Sequence, residues 1–219
     1  MNDFIANLPI FLTDIWITLA TVFVSLIVAG LIGLALGIAL YVTRPGNLLS
    51  SRGVFTTLNV IVNIVRPIPF VIFITAVAPL TKAVVGSTIG PTALTFALSL
   101  AASFAVSRIV EQSLVSVDPG VIEAARAAGA GPMRIILTVL IPEGLGPLIL
   151  GYTFLFVGIV DMSAQAGLVG GRGLGDFAIT YGSQRFNWPI VYITVATIIV
   201  IVQLGQFGGN WLARRALRR

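Results

Sequence analysis

Three stretches of this chain run without a charged residue for longer than a bilayer needs. Ile15 to Thr43 is 29 residues free of Asp, Glu, Lys and Arg, Ala83 to Ser107 is 25, and Phe186 to Ala213 is 28. A helix crosses the hydrocarbon core with roughly 20 apolar residues, so these runs demand an all-α polytopic membrane protein. The first run is not a signal peptide: it is too long, lacks a basic leading region and shows no small-x-small cleavage site. The composition agrees. Only 10% of the residues are charged, against about 25% in a soluble domain, and 57% are hydrophobic. The chain has no Cys and no His, which removes thiol chemistry, disulfides, imidazole acid–base catalysis and the usual zinc sites. A net charge of +5 could suggest nucleic acid, but the basic residues sit at the ends of apolar runs, where membrane orientation explains them.

We read one membrane domain, 1–219, with five spans at about 15–43, 54–78, 91–109, 144–161 and 187–213. In the first, Gly30, Gly33 and Gly37 share one side, and Gly33/Gly37 has the small-xxx-small spacing that favours close helix packing. Glycine is also simply common in membrane helices. Gly33/Gly37 and Gly205/Gly209 are the candidate contacts between subunits. The second span is interrupted by Arg66-Pro67-Ile68-Pro69. Two prolines kink a helix and free carbonyls, and a charge within a span suggests function by default. Arg66 either faces a translocation path or an interior ion pair, or snorkels to the surface from a segment 54–65 lying along the interface. Pro79 to Gly90, with Lys82, reads as a loop. The Ala- and Ser-rich third span suits an interior helix, and Trp188 and Trp211 anchor the ends of the fifth.

Residues 163–185 are too polar and glycine-rich to span, and Gly167, Gly170, Gly171, Gly173 and Gly175 let the backbone approach a ligand or partner. Their spacing is not a dinucleotide fingerprint. With five spans the termini face opposite sides. A cytoplasmic C-terminus puts nine basic residues inside (Arg44, Arg52, Arg108, Arg126, Arg134, Arg214, Arg215, Arg218 and Arg219) against Lys82, Arg172 and Arg185 outside. That bias sets the N-terminus outside.

On the basic side lies a compact interruption, 118–142. Asp118-Pro119 reads as an N-cap followed by proline at the first helical position. Glu123 to Ala128 form a short helix, Gly129 is its natural C′ residue, Gly131-Pro132 starts a second helix, and Ile141-Pro142 ends it. Such a small-residue surface suits docking by another protein.

Glu123-Ala124-Ala125, three residues, Gly129, nine residues, then Val139-Leu140-Ile141-Pro142 resembles the E-A-A-x3-G-x9-I-x-L-P loop of binding-protein-dependent ABC importer permeases. Val139 and Ile141 are mild departures. Tyr41 to Gly46, Ile61 to Phe70 and Gly173-Leu174-Gly175 look like the methionine-uptake permease subfamily. The resemblance implies the type I importer permease fold in a bacterial inner membrane and a homodimer. It also implies two ATP-hydrolysing subunits and an extracytoplasmic substrate-binding lipoprotein. In that subfamily a methionine before Gly173-Leu174-Gly175 forms a hydrophobic gate; the matching position here is Gln165, with Asp161 and Met162 nearby.

No Walker motif G-x-x-x-x-G-K-[ST] is present, so ATP and Mg would be held by the partner and this chain is no enzyme. The expected ATPase contacts are Glu123, Ala124, Ala125, Arg126, Gly129, Pro132, Met133 and Pro142, with Met133 filling an apolar pocket. The expected path or gate is Arg66, Pro67, Pro69, Asp161, Met162 and Gln165, and the expected binding-protein dock is Gly171, Arg172, Gly173 and Gly175. Cargo other than methionine, another amino acid or a small osmolyte, remains open. A stand-alone ion-coupled carrier is the more remote alternative, because intramembrane acids are nearly absent and no inverted repeat is evident.

Overall fold

The computed structural model describes residues 2–165 and 170–217, with side chains from Phe4 onward; Gly167, Arg218 and Arg219 lie outside the described residues. In chain order it contains α1 (Asn2–Ala6), α2 (Leu8–Thr43), α3 (Arg52–Val65), α4 (Phe70–Ala76), α5 (Ala78–Val85), α6 (Pro91–Val115), α7 (Pro119–Ala127), α8 (Pro132–Ile135), α9 (Ile141–Gln165), α10 (Leu174–Phe177) and α11 (Trp188–Leu217). Among the described residues there is no strand. Four helical stretches are long and apolar enough to cross a membrane: Leu8–Thr43, Pro91–Val115, Pro132–Gln165 and Trp188–Leu217. A fifth exists if α3 and α4, bent by 111° at the break between them, count as one span.

α6 is the centre of the bundle. Ala97, Leu98, Ala102, Val106, Val110 and Leu114 are fully buried, and α2 and α9 pack on it with α3, α4 and α5 at its sides. Small side chains make this possible, since lipid supplies no hydrophobic drive and close van der Waals packing must hold the helices. The serines of α6 satisfy their hydroxyls within the helix: Ser99 donates to the Thr95 carbonyl at 2.6 Å and Ser103 to the Ser99 carbonyl at 2.7 Å. Neither hydroxyl is left bare to lipid. A smaller cluster caps the end bearing the N-terminus, where Phe11 and Phe177 lie 5.1 Å apart with Leu174 and Ile190 buried beside them.

The candidate subunit contacts turn inward. A Cβ on Gly33 would lie 2.3 Å from Val106 Cβ, and one on Gly205 would lie 2.1 Å from Phe156 Cε1. Gly37 meets Val110 and Gly209 meets Thr153 in the same way. All four glycines are therefore occupied by this chain's own helices, which corrects the expectation that they join subunits.

Three further boundaries differ from the sequence reading. The first long helix begins at Leu8, because Pro9 occupies its first turn, where no N–H is missed. Residues 79–90 are not all loop: α5 starts with Pro79 in its first turn and stops at Gly86, which is left-handed at φ +84°. Pro142 does not end a helix. A wide π turn over Ile136–Leu140 precedes it, and the helix continues to Gln165. Proline removes an N–H and crowds the carbonyl one turn back; the widened turn accommodates both.

Candidate functional site

The segment 118–142 is built on local caps. Asp118 accepts a hydrogen bond from the Gly120 N–H at 2.8 Å and starts α7. At its other end Gly129 has φ +79°, its N–H bonds the Arg126 carbonyl at 2.9 Å, and the Ala130 N–H bonds the Ala125 carbonyl at 3.1 Å. This paired closure is a Schellman motif, which needs the left-handed residue that glycine provides.

Ile122, Ile135, Ile136 and Leu140 are buried in the main core, so the back of the segment is fixed to the bundle. Its front is bare. Glu123, Ala124, Arg126, Gly129, Pro132 and Pro142 are exposed, Ala125 is half-buried, and Met133 is 64% exposed. Among the described residues neither Glu123 nor Arg126 has a side-chain ion pair. A cavity of about 460 Å³ opens between Arg126, Gly129, Pro132 and Ile135 and the loop residues Asn47 and Leu48. The arrangement is a rigid platform carrying charges of both signs without ion pairs among the described residues, Glu123 against Arg126 and Arg134, and an apolar knob.

The residues expected along a path also meet. A cavity of about 360 Å³ is lined by Arg66, Pro69, Asp161, Met162 and Gln165; Pro67 is outside it. The break before α4 brings Arg66 round to α9. Ala101 and Ala105 of α6 form the floor, and Phe70 and Phe73 close it. The Gln165 amide donates to Asp161 Oδ2 at 3.0 Å. Arg66 has no ion pair or side-chain hydrogen bond among the described residues.

The glycine-rich segment behaves differently from its expectation. Of the four expected docking residues, Gly171, Gly173 and Gly175 are buried and Arg172 is exposed. The close approach these glycines permit is to this chain: a Cβ on Gly175 would lie 2.1 Å from the Ala164 carbonyl, and one on Gly173 2.7 Å from Thr18 Oγ1. The Leu174 N–H donates to Thr18 Oγ1 at 2.9 Å, and Arg172 pairs with the buried Asp14 at 3.7 Å. Gly173 and Gly175 thus clasp α2 and α9, and Gly171 is buried as well.

Sequence reasoning missed one cluster. Glu111, buried on α6, pairs with Arg108 and with Arg44 Nε at 3.4 Å. Arg108 also donates to Asn63 Oδ1 at 2.7 Å and to Asn59 on α3. Arg108/Glu111 and Asn59/Asn63 stand three and four residues apart, a helix-face spacing that could have flagged each pair, though not their meeting.

The family model described as "Binding-protein-dependent transport system inner membrane component" matches residues 44–218. The "Probable D-methionine transport system permease protein MetI" of Vibrio cholerae is 40% identical over 216 residues, covering 99% of this chain and 96% of its own. The "D-methionine transport system permease protein MetI" of Escherichia coli K12 is 41% identical over 153 residues, 70% of each chain. Among solved structures, an inward-facing crystal form of the MetNI methionine ABC transporter superposes with a TM-score of 0.94 at 36% identity, covering 96% of this chain and 98% of that one. An amino acid ABC transporter crystallised with histidines shares the fold, with a TM-score of 0.80 at 21% identity.

Proposed function

We propose that this chain, which belongs to the family of binding-protein-dependent transport system inner membrane components, carries methionine through the cytoplasmic membrane as the permease of an ABC importer. The observation that carries the reading is the platform of α7 and α8. It is anchored by Ile122, Ile135, Ile136 and Leu140, yet leaves Glu123, Arg126 and Met133 bare. A transport subunit without a phosphate-binding loop needs such a face to receive work done elsewhere. Relatives named for D-methionine transport, together with the likeness to MetNI, support the cargo.

In this reading the permease is a homodimer with two ABC ATPase subunits on its cytoplasmic side, which hold ATP and Mg. A substrate-binding lipoprotein delivers cargo from outside. The C-terminus is cytoplasmic and the N-terminus outside, by the basic-residue bias. Glu123 and Arg126 offer charge to the ATPase groove, Ala124, Ala125 and Gly129 permit close approach, and Met133 enters an apolar pocket. ATP favours the closed ATPase pair, and that preference biases the permease toward its outward-open state. Arg66, Pro69, Asp161, Met162 and Gln165 line the path.

The test is reconstitution of the chain with its ATPase and binding protein in proteoliposomes. Methionine uptake driven by ATP, and ATP hydrolysis stimulated by methionine-loaded binding protein, are the expected results. Absence of both with either enantiomer would remove methionine as cargo. Transport by this chain alone under an ion gradient would overturn the ABC mechanism.

A further inference from the structure

We propose that the cavity between α4, α6 and α9 is a binding site for a zwitterionic α-amino acid, with Arg66 receiving the carboxylate and Asp161 the ammonium group. This rests on the reading of the chain as an amino-acid permease and adds a recognition site within it.

Charge selects the class of ligand. Arg66 stands, exposed, at the break between α3 and α4, and a guanidinium in a membrane segment normally pairs with something. Arg66 has no such partner among the described residues, although Asp161 lines the same cavity. The two are too far apart for a direct ion pair. The site therefore carries one positive and one negative group, separated and summing to zero. An α-amino acid has the same pattern inverted. A simple anion would meet Asp161 as a like charge, a simple cation would meet Arg66, and a neutral osmolyte would leave both charges bare.

Hydrogen bonding supports the assignment. Gln165 donates to Asp161 Oδ2 at 3.0 Å, which orients the carboxylate and leaves Oδ1 for an incoming N–H donor. Arg66, with its planar fork of donors, suits a carboxylate bidentately. The remaining wall fits an apolar side chain. Phe70 and Phe73 are buried and line the cavity beside Met162; aromatic faces and a soft thioether accept a sulfur-bearing chain well. The volume, about 360 Å³, falls at the small end of the range of about 300–1,000 Å³ for small-molecule sites.

The test uses the complex of this chain with its ATPase in lipid nanodiscs, without the binding protein, and the variants on this chain separate its own selectivity from any binding by the ATPase. Retention of labelled L-methionine, L-methioninamide and 4-methylthiobutyrate is measured by equilibrium dialysis. Wild type should retain methionine at least about tenfold better than either analogue. Arg66→Gln should lose the discrimination against the amide, and Asp161→Asn the discrimination against the amine-free acid. Arg66→Lys should keep the preference and serves if Arg66→Gln does not assemble. Equal retention of all three compounds by wild type, no retention at all, or unchanged discrimination in both charge-neutral variants would overturn the site. Any of these alongside ATP-driven methionine uptake by the complete importer removes the site alone; absence of that uptake removes the functional reading.

Discussion

The Tyr152 hydroxyl donates to the main-chain carbonyl of Gly30 at 2.7 Å, across 122 residues of sequence. It joins α9 to α2 at a point where a Cβ on Gly30 would stand 2.9 Å from Tyr152 Cε1. The glycine admits the ring, and the ring then finds the helix carbonyl. Tyr152→Phe keeps the packing and removes only the bond, so it should cost about 1 kcal/mol. Thermal unfolding of the purified chain in detergent should show a drop of about 2–4 °C; an unchanged midpoint would mean the bond contributes nothing net.

Glu111 presents a sharper contrast. Its side chain is 3% exposed and lies between Arg108, 13% exposed, and Arg44, 43% exposed. Breaking a buried pair leaves a charge uncompensated and costs about 3–5 kcal/mol, whereas an exposed partner contributes about 0–1 kcal/mol. Glu111→Gln and Arg108→Ala should therefore lower stability severely and Arg44→Ala only slightly. Equal losses for the two arginine variants, by the same unfolding assay, would show that solvent exposure does not rank them.

At Gly129 the constraint is the backbone: a Cβ there would meet nothing within 4 Å, while φ is +79°. Gly129→Ala should be tolerated with modest loss. Gly129→Val, β-branched and left-handed, should strain the turn by about 1–3 kcal/mol and displace α8. Membrane insertion should persist while co-purification with the ATPase fails. Wild-type recovery of the ATPase with Gly129→Val would mean that the platform is not where it docks.

The inward-facing glycines allow a test of helix packing against subunit contact. Gly205→Ala drives a methyl into Phe156 and should cost about 1–3 kcal/mol as overpacking. In the background of Phe156→Ala the same change should cost almost nothing. Additive losses in this double-mutant cycle would place Gly205 against something other than Phe156.

How far the sequence can be read depends on the range of each interaction. The platform is legible because caps are local: Asp118, Pro119, Gly129 and Pro132 each act within one turn of themselves. Four of the five spans are likewise legible from length and polarity, and the break at Arg66–Pro69 from its prolines. What approaches a glycine is not local. Gly33, Gly205, Gly173 and Gly175 announce close contact without saying with what, and each partner is this chain. Pro142 misleads because a stop signal can be absorbed by a wider turn, and the sequence carries no mark of that widening.

The helix that absorbs Pro142 runs unbroken from Pro132, beside the Met133 knob, to Gln165 in the cavity wall, 34 residues in all. At about 1.5 Å per residue it is a lever on the order of 50 Å long. No loop lies between its ends to take up slack. A tilt of a few degrees imposed at Met133 reappears at Asp161 as a displacement on the order of 1–2 Å, unless the turn over Ile136–Leu140 yields first. That turn and the interior Pro147, which removes a further ladder bond, are the lever's compliant joints, and their stiffness sets how much of a push on the outside of the bundle reaches the cavity within it.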